Sequence, residues 1–242
     1  MIIKDGTRQA VTAVILTGGS GSRMQREGVS KQFIEIIGKP IFIHCLEIYQ
    51  GIASVDEIVL VIDEKYRPLY NEELEKHPIP KVKQIVSGGK YRHESVQNGV
   101  NAVSHDEGLI IIQNGVNPTT SPETIKLCVN RAITFPAVSA YVPAFHTVFL
   151  STEDDNLAEV YDRKMLNYTV DPQIYNVPVI KEALKEASTS EKDLPIVELV
   201  REAGHEVSLI LSDMSNHKIT NSHDLAYVSH VLKSRLHAQE II

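Results

Sequence analysis

Short apolar runs alternate with amphipathic stretches along most of this chain. Ala13–Leu16 (within a strand predicted at 11–16), Ile58–Ile62 and Leu109–Ile112 are continuous apolar runs, which predict strands buried on both faces of a parallel sheet. Between the first two runs, Ile41–Gln50 carries apolar side chains at helical spacing, and Pro40 in front of it favours a helix start. This alternation predicts an α/β fold with a mostly parallel, doubly wound sheet.

The remaining elements follow from the same pattern. Leu109–Ile112 is the most apolar run and is expected at the centre of the sheet. We expect one domain over residues 1–242, and a short or irregular helix beginning near Ser22. Further strands are predicted at 82–87, 137–141 and 207–211, and further helices at 64–76, 95–103, 121–132, 179–187, 196–203 and 224–236.

The segment from Pro143 to Tyr175 interrupts the alternation. Val148–Leu150 and Glu159–Tyr161 have the pattern of two short strands around the acidic turn Glu153–Asn156. We interpret residues 143–176 as a protruding β-arm. Because the arm has little core of its own, we predict that it pairs with a second copy of the chain to form a homodimer.

Composition and charge exclude several classes of protein. A net charge of −7 opposes general binding to nucleic acid or to a membrane surface, and no apolar run approaches membrane-spanning length. No signal peptide precedes the first strand, and Cys45 and Cys128 have the pattern of reduced core thiols, so a cytoplasmic location is expected. The ten histidines show no paired ligand spacing, so no metal site built by the protein is expected.

A glycine-rich loop follows the first strand. Gly18, Gly19 and Gly21 allow backbone N–H groups to approach an anion closely, and Arg23 and Lys31 add two positive charges. The loop completes neither a dinucleotide fingerprint, because methionine stands where the third glycine is required, nor a P-loop. It favours a polyphosphate site, and a plain tight turn between strand and helix is the alternative.

In a doubly wound sheet, ligands bind beyond the carboxyl ends of the strands. Each loop expected at that edge carries small or polar residues in place of core residues. We therefore predict one crevice that is lined from five places. The loops are 17–23, 87–95, 113–118, 142–147 and 212–220.

Several segments, in register over about residues 11–235, resemble one known family. They are the glycine loop with Lys31-Gln32-Phe33; Gly38–Pro40 with His44; Gly88–Gly99, which reads GGKYRHESVQNG; Asp162-Arg163 with Pro172-Gln173; and Asn216–Thr220 with Asp224-Leu225. This pattern is similar to the IspD/TarI family of CTP-dependent cytidylyltransferases. The resemblance implies a Rossmann-like nucleotidyltransferase fold of the GT-A type, and the use of CTP with an alditol phosphate.

The resemblance also implies roles for individual residues. Arg23, Lys31 and Lys218 would be catalytic and neutralise the triphosphate, with Mg²⁺ as cofactor held mainly by the CTP phosphates. Nucleotide binding is implied for Leu16, Thr17, Gly18, Gly19, Gly21, Gly89, Lys90, Arg92, Ser95, Asn114 and Gly115, and acceptor binding for Asn117, Thr147, Arg163 and Asp171.

Structural alternatives stay open for four of these residues. Ser95 would also serve as a helix N-cap, because serine is among the best capping residues. Lys218 and Arg92, each taken alone, have the alternative of a solvated surface charge. Arg163 has the alternative of a salt bridge within the arm.

The chain departs from the family pattern in the acceptor half. Asn114 and Asn117 stand where the family usually has Asp and Arg, and Asp171 replaces a threonine. We therefore predict transfer of CMP from CTP to a small phosphorylated polyol, such as ribitol, glycerol or methylerythritol phosphate, at a rebuilt acceptor site. A nucleotidyltransferase of the same fold with another nucleotide or acceptor, and a non-catalytic nucleotide-binding homologue, are the alternatives.

Overall fold

A seven-stranded sheet runs through the computed structural model, which describes residues 2–4, 6–18, 30–187 and 194–240. The strands of the described residues are β1 (Ile2–Lys4), β2 (Thr7–Gln9), β3 (Val11–Leu16), β4 (Glu35–Ile36), β5 (Lys39–Pro40), β6 (Glu57–Ile62), β7 (Val82–Ser87), β8 (Leu109–Asn114), β9 (Ala137–Pro143), β10 (Phe149–Ser151), β11 (Leu157–Val160), β12 (Asn167–Asn176) and β13 (Val207–Leu211). The helices are α1 (Ile41–Gln50), α2 (Arg67–Lys76), α3 (Arg92–Asn101), α4 (Pro122–Arg131), α5 (Val177–Ala187), α6 (Ile196–Glu202) and α7 (Ser222–Glu240). None of these helices is both long and apolar enough to cross a membrane.

The central sheet has the strand order β13-β9-β12-β8-β3-β6-β7. Only β12 runs antiparallel to its neighbours, β8 and β9, and the other four pairings in the sheet are parallel. Apolar residues of α1, α2 and α4 form the core on one face, and those of α3, α5 and α6 form the core on the other. The predicted doubly wound, mostly parallel sheet is confirmed, with β8 at its centre.

Helix α3 lies very close to the sheet at Gly99. A Cβ atom at this position would come within 2.4 Å of Val14 Cγ1 and 2.9 Å of Val61 Cγ2. Glycine therefore lets α3 settle directly onto β3 and β6, and this contact fixes where the start of α3 lies.

The start of α3 corrects one expectation from the sequence. The helix begins at Arg92, three residues before the predicted start, and its N-cap is Tyr91, whose backbone N–H is bound by Glu94 Oε2 at 3.0 Å. Ser95 lies inside the first turns of the helix, so the alternative that Ser95 is an N-cap is wrong. The helix predicted near Ser22 lies outside the described residues.

The arm is shorter than the sequence suggested. β10 and β11 pair as the predicted antiparallel ribbon, with every residue from Phe149 to Val160 exposed. Residues 167–176, however, form β12 of the central sheet, pairing with both β8 and β9. The Asp171-Pro172 dipeptide in the middle of this segment is more typical of a loop than of a strand. At this point the register of pairing with β9 shifts, between Val170 and Gln173.

Candidate active site

A cavity of about 270 Å³ opens beside the central strands. Three of the five loops predicted to line a crevice contribute to it, through Arg92 at the start of α3, Asn114 and Asn117 at the end of β8, and Lys218 after β13. Asp171 of β12 lines it as well. Two cationic side chains and one carboxylate therefore share a single cavity.

Asp171 is the most deeply buried of these three charged side chains, with 4% of its surface exposed. Asn114 Nδ2 donates to Asp171 Oδ1 at 2.8 Å and to Oδ2 at 2.9 Å, and Asn117 Nδ2 donates to Oδ2 at 3.2 Å. The antiparallel pairing of β12 with β8 begins at Gln173 and Ile112, two residues from Asp171 and Asn114 respectively. The three positions that depart from the family pattern thus form one hydrogen-bonded group.

Asn216 connects this group to the loop that carries Lys218. Its side chain is 5% exposed, and its Oδ1 accepts from Asn117 Nδ2 at 2.7 Å. Its Nδ2 donates to Ser212 Oγ at 2.8 Å and to the main-chain carbonyl of Asp171. Asn216 belongs to a segment that resembles the family but was not predicted as a site residue, because its contacts with Asn117 and Asp171 join positions 99 and 45 residues apart along the chain.

Backbone contacts hold the same loop from two further sides. Ile219 N donates to the carbonyl of Val116 at 2.9 Å, and His217 N donates to Thr119 Oγ1 at 2.8 Å. Lys218, between these two anchored residues, is exposed at the cavity. Its main chain is therefore fixed while its side chain reaches solvent.

The side chain of His217 meets Asp224 near the start of α7, with 3.0 Å between Nε2 and Oδ1. Asp224 Oδ2 also accepts from the backbone N–H groups of Thr220 at 2.6 Å and Asn221 at 2.8 Å. Burial acts to raise the pKa of Asp224, but these N–H groups and His217 hold it below its usual value. The carboxylate therefore joins the loop of Lys218 to α7.

Lys31 lies next to the same loop. Its Nζ donates to the carbonyl of Ile219 at 3.3 Å, so two of the three cations predicted to converge, Lys31 and Lys218, are brought to one segment. Arg23, the third, lies outside the described residues, as do Gly19 and Gly21.

The described start of the glycine loop is joined to the end of β8. Thr17 donates both its N–H and its hydroxyl to the carbonyl of Val61, at 2.8 and 2.7 Å. Gly115 N donates to the carbonyl of Leu16 at 2.8 Å, and a Cβ at Gly115 would lie 2.3 Å from Thr17 Cγ2. Leu16, Thr17 and Gly115 therefore pack together, and this close packing depends on glycine at position 115.

The predicted cytosine segment is held together by Ser95. Its Oγ accepts from the N–H of Gly89 at 3.0 Å and donates to the carbonyl of Tyr91 at 3.2 Å. Lys90 Nζ lies 4.9 Å from the ring centre of Tyr91. Gly89, Lys90 and Ser95 are thus neighbours, beside Arg92 at the cavity.

Two predicted acceptor residues lie away from the cavity of their own chain. Thr147 and Arg163 are exposed on the arm, and neither lines the cavity. Arg163 Nη1 donates to the carbonyl of Phe145 at 2.8 Å, which is a contact within the arm but is made to a carbonyl oxygen rather than to a carboxylate.

Buried side chains form hydrogen bonds with the segment that carries Asn117. Tyr49 OH donates to Gln113 Oε1 at 2.6 Å, and Gln113 Nε2 donates to the carbonyl of Asn117 at 3.2 Å. Burial raises the pKa of Tyr49 and of Cys45, and it raises the pKa of Cys128 to about 12. Both cysteines are buried free thiols, as predicted.

The family model described as "IspD: 2-C-methyl-D-erythritol 4-phosphate cytidylyltransferase" matches residues 11–234. This chain belongs to the IspD family. The nucleotidyltransferase class predicted from the sequence is thereby confirmed.

Individual IspD relatives align over nearly the whole chain. The 2-C-methyl-D-erythritol 4-phosphate cytidylyltransferase of Syntrophus aciditrophicus is 31% identical over 225 residues, which is 92% of this chain and 96% of the relative. The enzyme of the same name from Lachnospira eligens is 31% identical over 228 residues, which is 92% of this chain and 99% of the relative.

Solved IspD structures share the fold. The crystal structure of 4-diphosphocytidyl-2C-methyl-D-erythritol synthase from Anaerococcus prevotii superposes with a TM-score of 0.81 at 22% identity, over 93% of this chain and 96% of that one. The Francisella tularensis IspD structure gives 0.77 at 19% identity, over 92% and 99% of the two chains. At these identities the likeness concerns the fold alone.

Proposed function

We propose that this protein transfers CMP from CTP to a small phosphorylated polyol and releases pyrophosphate. The observation that carries the proposal is the loop of Lys218. This loop presents one lysine at the cavity and binds a second, Lys31, through the carbonyl of Ile219. Such a reaction brings two polyanions together, so it requires several cationic side chains at one site.

In the proposed reaction an oxygen of the acceptor phosphate attacks the α-phosphorus of CTP, and pyrophosphate leaves. Lys31 and Lys218, with Arg23, would neutralise the negative charge that builds up at the α-phosphorus. The backbone of Leu16 to Gly21 would hold the triphosphate, and Gly89 with the hydroxyl of Ser95 would recognise the edge of the cytosine.

Mg²⁺ remains part of the proposal as a cofactor carried by the nucleotide. Within the described residues, no three His, Cys, Asp or Glu side chains are placed to hold a metal ion together. Mg²⁺ commonly binds through substrate phosphates and water with few protein ligands. A magnesium ion bound mainly to the phosphates of CTP is compatible with this site. When bound, it would supply further neutralisation of phosphate charge.

The acceptor half of the site supports a polyol phosphate other than methylerythritol phosphate. Asn117 is uncharged where the family usually has an arginine, and the buried carboxylate of Asp171 repels a phosphate placed against it. Ribitol and glycerol phosphates are the candidates that we favour.

A screen of pyrophosphate release tests the proposal. CTP, UTP, ATP and GTP are each combined with methylerythritol 4-phosphate, ribitol 5-phosphate and glycerol 3-phosphate, in the presence of Mg²⁺. We expect release with CTP and at least one acceptor. Release with another nucleotide alone, or no release together with no CTP binding at millimolar concentration, overturns the assignment. Turnover of methylerythritol phosphate at ordinary efficiency rejects the rebuilt acceptor site but not the CMP transfer.

We also propose that the arm makes this protein a homodimer in the cytoplasm. Leu157 and Met165 are 63% and 79% exposed, and Phe149, Leu150 and Val160 on the same arm are exposed as well, so the arm carries several exposed apolar side chains. In a dimer, Thr147 and Arg163 of one subunit would complete the acceptor site of the other, and this arrangement accounts for their distance from the cavity of their own chain.

A further inference from the structure

Helix α7 packs against the loop of Lys218 along one face. Asp224, Val228 and Arg235 are separated by four and seven residues, so they lie on the same side of this helix. Val228 is buried with Val116 and Ile219 in a small apolar core. Asp224 and Arg235 make polar contacts on the two sides of that core. The helix therefore touches both the loop after β8 and the loop after β13.

Arg235 joins these two loops directly. Its Nη2 donates to the main-chain carbonyl of Thr119 at 2.8 Å and to Ser215 Oγ at 2.9 Å. Thr119 follows β8, and Ser215 lies three residues before Lys218. Because a guanidinium group is planar and always charged, its N–H donors keep a fixed arrangement. One half-buried side chain of α7 thus sets the spacing between the two loops.

A second route leads from Arg235 to Lys218 through Thr119. Thr119 is fully buried, and its Oγ1 accepts from His217 N at 2.8 Å. The residue before Lys218 is therefore held by the same threonine whose carbonyl Arg235 binds. Removal of the guanidinium group takes a donor away from that carbonyl, and a buried carbonyl that loses its partner is costly.

Arg235 itself lies away from the substrate cavity. Among the described residues, the cationic side chains that line the cavity are Arg92 and Lys218. Arg235 therefore has its effect on the cavity through the loop of Lys218. The position of a charged group matters at such a site, because a displacement of about 1 Å can cost roughly 100-fold in rate.

We propose that Arg235 is a positioning residue, which clamps the loops after β8 and β13 together and so holds Lys218 in place for the triphosphate of CTP. This inference rests on the proposed function, since it takes Lys218 as a group that neutralises phosphate charge. It adds a side chain of the last helix to the determinants of nucleotide binding.

A double-mutant cycle with Lys218 tests the inference through CTP binding and does not rely on turnover. CTP with Mg²⁺ is titrated calorimetrically into the wild-type protein, Arg235→Met, Lys218→Met and the protein with both substitutions. We expect Arg235→Met to weaken CTP binding by about 3- to 30-fold, within the range of couplings in one hydrogen-bonded network. In the Lys218→Met background, the same substitution should change the affinity by less than about twofold.

Two further variants separate positioning from charge and from general support of the fold. Arg235→Lys keeps a cationic donor and should bind CTP more tightly than Arg235→Met. Lys233→Met is the matched control, because Lys233 is an exposed cation on the same helix and its loss changes the net charge equally. It should bind CTP as the wild-type protein does. A merely structural role of Arg235 would lower the unfolding midpoint and would weaken CTP binding equally in both backgrounds.

Three results overturn the inference: an unchanged CTP affinity in Arg235→Met, equal weakening with and without Lys218, or the same weakening by Lys233→Met. If Arg235→Met fails to fold, Ser215→Ala takes its place in the cycle. This variant removes one of the two contacts of the guanidinium group, and the same three criteria apply to it.

The screen of pyrophosphate release distinguishes the two proposals. Release by the wild-type protein without the coupling between Arg235 and Lys218 rejects this inference alone. The coupling without release from any acceptor rejects the proposed function alone. A wild-type protein that does not bind CTP at millimolar concentration overturns both.

Discussion

At the scale of single side chains, the structure brings together two lysines that separate short motifs nominated. Lys31 and Lys218 are 187 residues apart, and the structure brings Lys31 against the residue that follows Lys218. The short motifs around each lysine are sufficient to nominate both. The contacts of Asp171 with Asn114 and Asn117 were not predicted, because they join positions 57 and 54 residues apart that no short motif connects.

Replacing Lys218 tests the electrostatic part of the proposal. Lys218→Met keeps the length of the side chain and removes its charge. We expect kcat/KM for CTP turnover to fall by about 100-fold or more, as for other losses of transition-state charge stabilisation. The unfolding midpoint should stay unchanged, because the side chain is exposed.

Lys126→Met is the matched control, since Lys126 is an exposed lysine on α4 and does not line the cavity. We expect wild-type turnover from it. A Lys218→Met enzyme that keeps more than a third of the wild-type kcat/KM contradicts the catalytic role of Lys218.

At the scale of elements, the regular βα alternation was predictable and β12 was not. Strands β3, β7 and β13 have the predicted bounds, because β3 and β13 are mostly apolar and β7 lies between Pro80 and Gly88-Gly89, which are signals for the ends of a strand. β12 contains Asp171-Pro172, and an aspartate followed by a proline opposes a strand within a sheet. Long-range pairing with β8 and β9 overrides this local preference, and a single sequence does not display such pairing.

The fit of α3 against the sheet depends on Gly99. We expect Gly99→Ala to lower the free energy of unfolding by about 1–3 kcal/mol, because the added methyl group overlaps with Val14 and Val61. Urea denaturation measures the change. Gly51→Ala is the control, since its Cβ meets the nearest atom at 3.5 Å, an ordinary contact. Equal stability of the two variants would show that α3 is free to shift.

Asp224, which joins α7 to the loop of Lys218, should make the stability of the folded protein depend on pH. The pKa of Asp224 is below its ordinary value of 3.8 in the folded protein, so its stabilisation is fully present above that value. It is lost as the pH falls through the lower pKa of the folded state. We expect Asp224→Asn to cost about 1 kcal/mol at pH 7, and the difference from the wild-type protein to vanish in acid.

Urea midpoints at pH 7, 5 and 3 check this expectation. Asp106→Asn, at an exposed ion pair, should change the midpoint little at any of these pH values. If the difference in urea midpoint between Asp224→Asn and the wild-type protein grows towards pH 3, the change is opposite to this expectation. Such a result contradicts the stabilising role of the Asp224 carboxylate.

At the scale of the whole molecule, the arm is the surface expected to join two copies. Leu157→Asp and Met165→Asp place charges on its exposed apolar side chains. We expect each to weaken dimerisation at least about tenfold, because burying an unpaired charge is costly. Sedimentation equilibrium measures the dissociation constant.

Leu127→Asp on α4 serves as the control, because Leu127 is 55% exposed and lies outside the arm. It should assemble as the wild-type protein does. A wild-type protein that sediments as a monomer, or arm variants with unchanged assembly, would reject the proposed dimer.

The bond between Asn114 and Asp171 also constrains the mutational paths open to this chain. Asn114→Asp alone would set a second carboxylate against Asp171, at the 2.8 and 2.9 Å that Asn114 Nδ2 now occupies. Two carboxylates at that separation do not both ionise. Asn114→Asp is therefore expected to require either a proton shared by the two carboxyl groups or a neutral side chain at position 171. Substitutions at these two positions are therefore expected to have non-additive effects on stability, because the two side chains share the same hydrogen bonds.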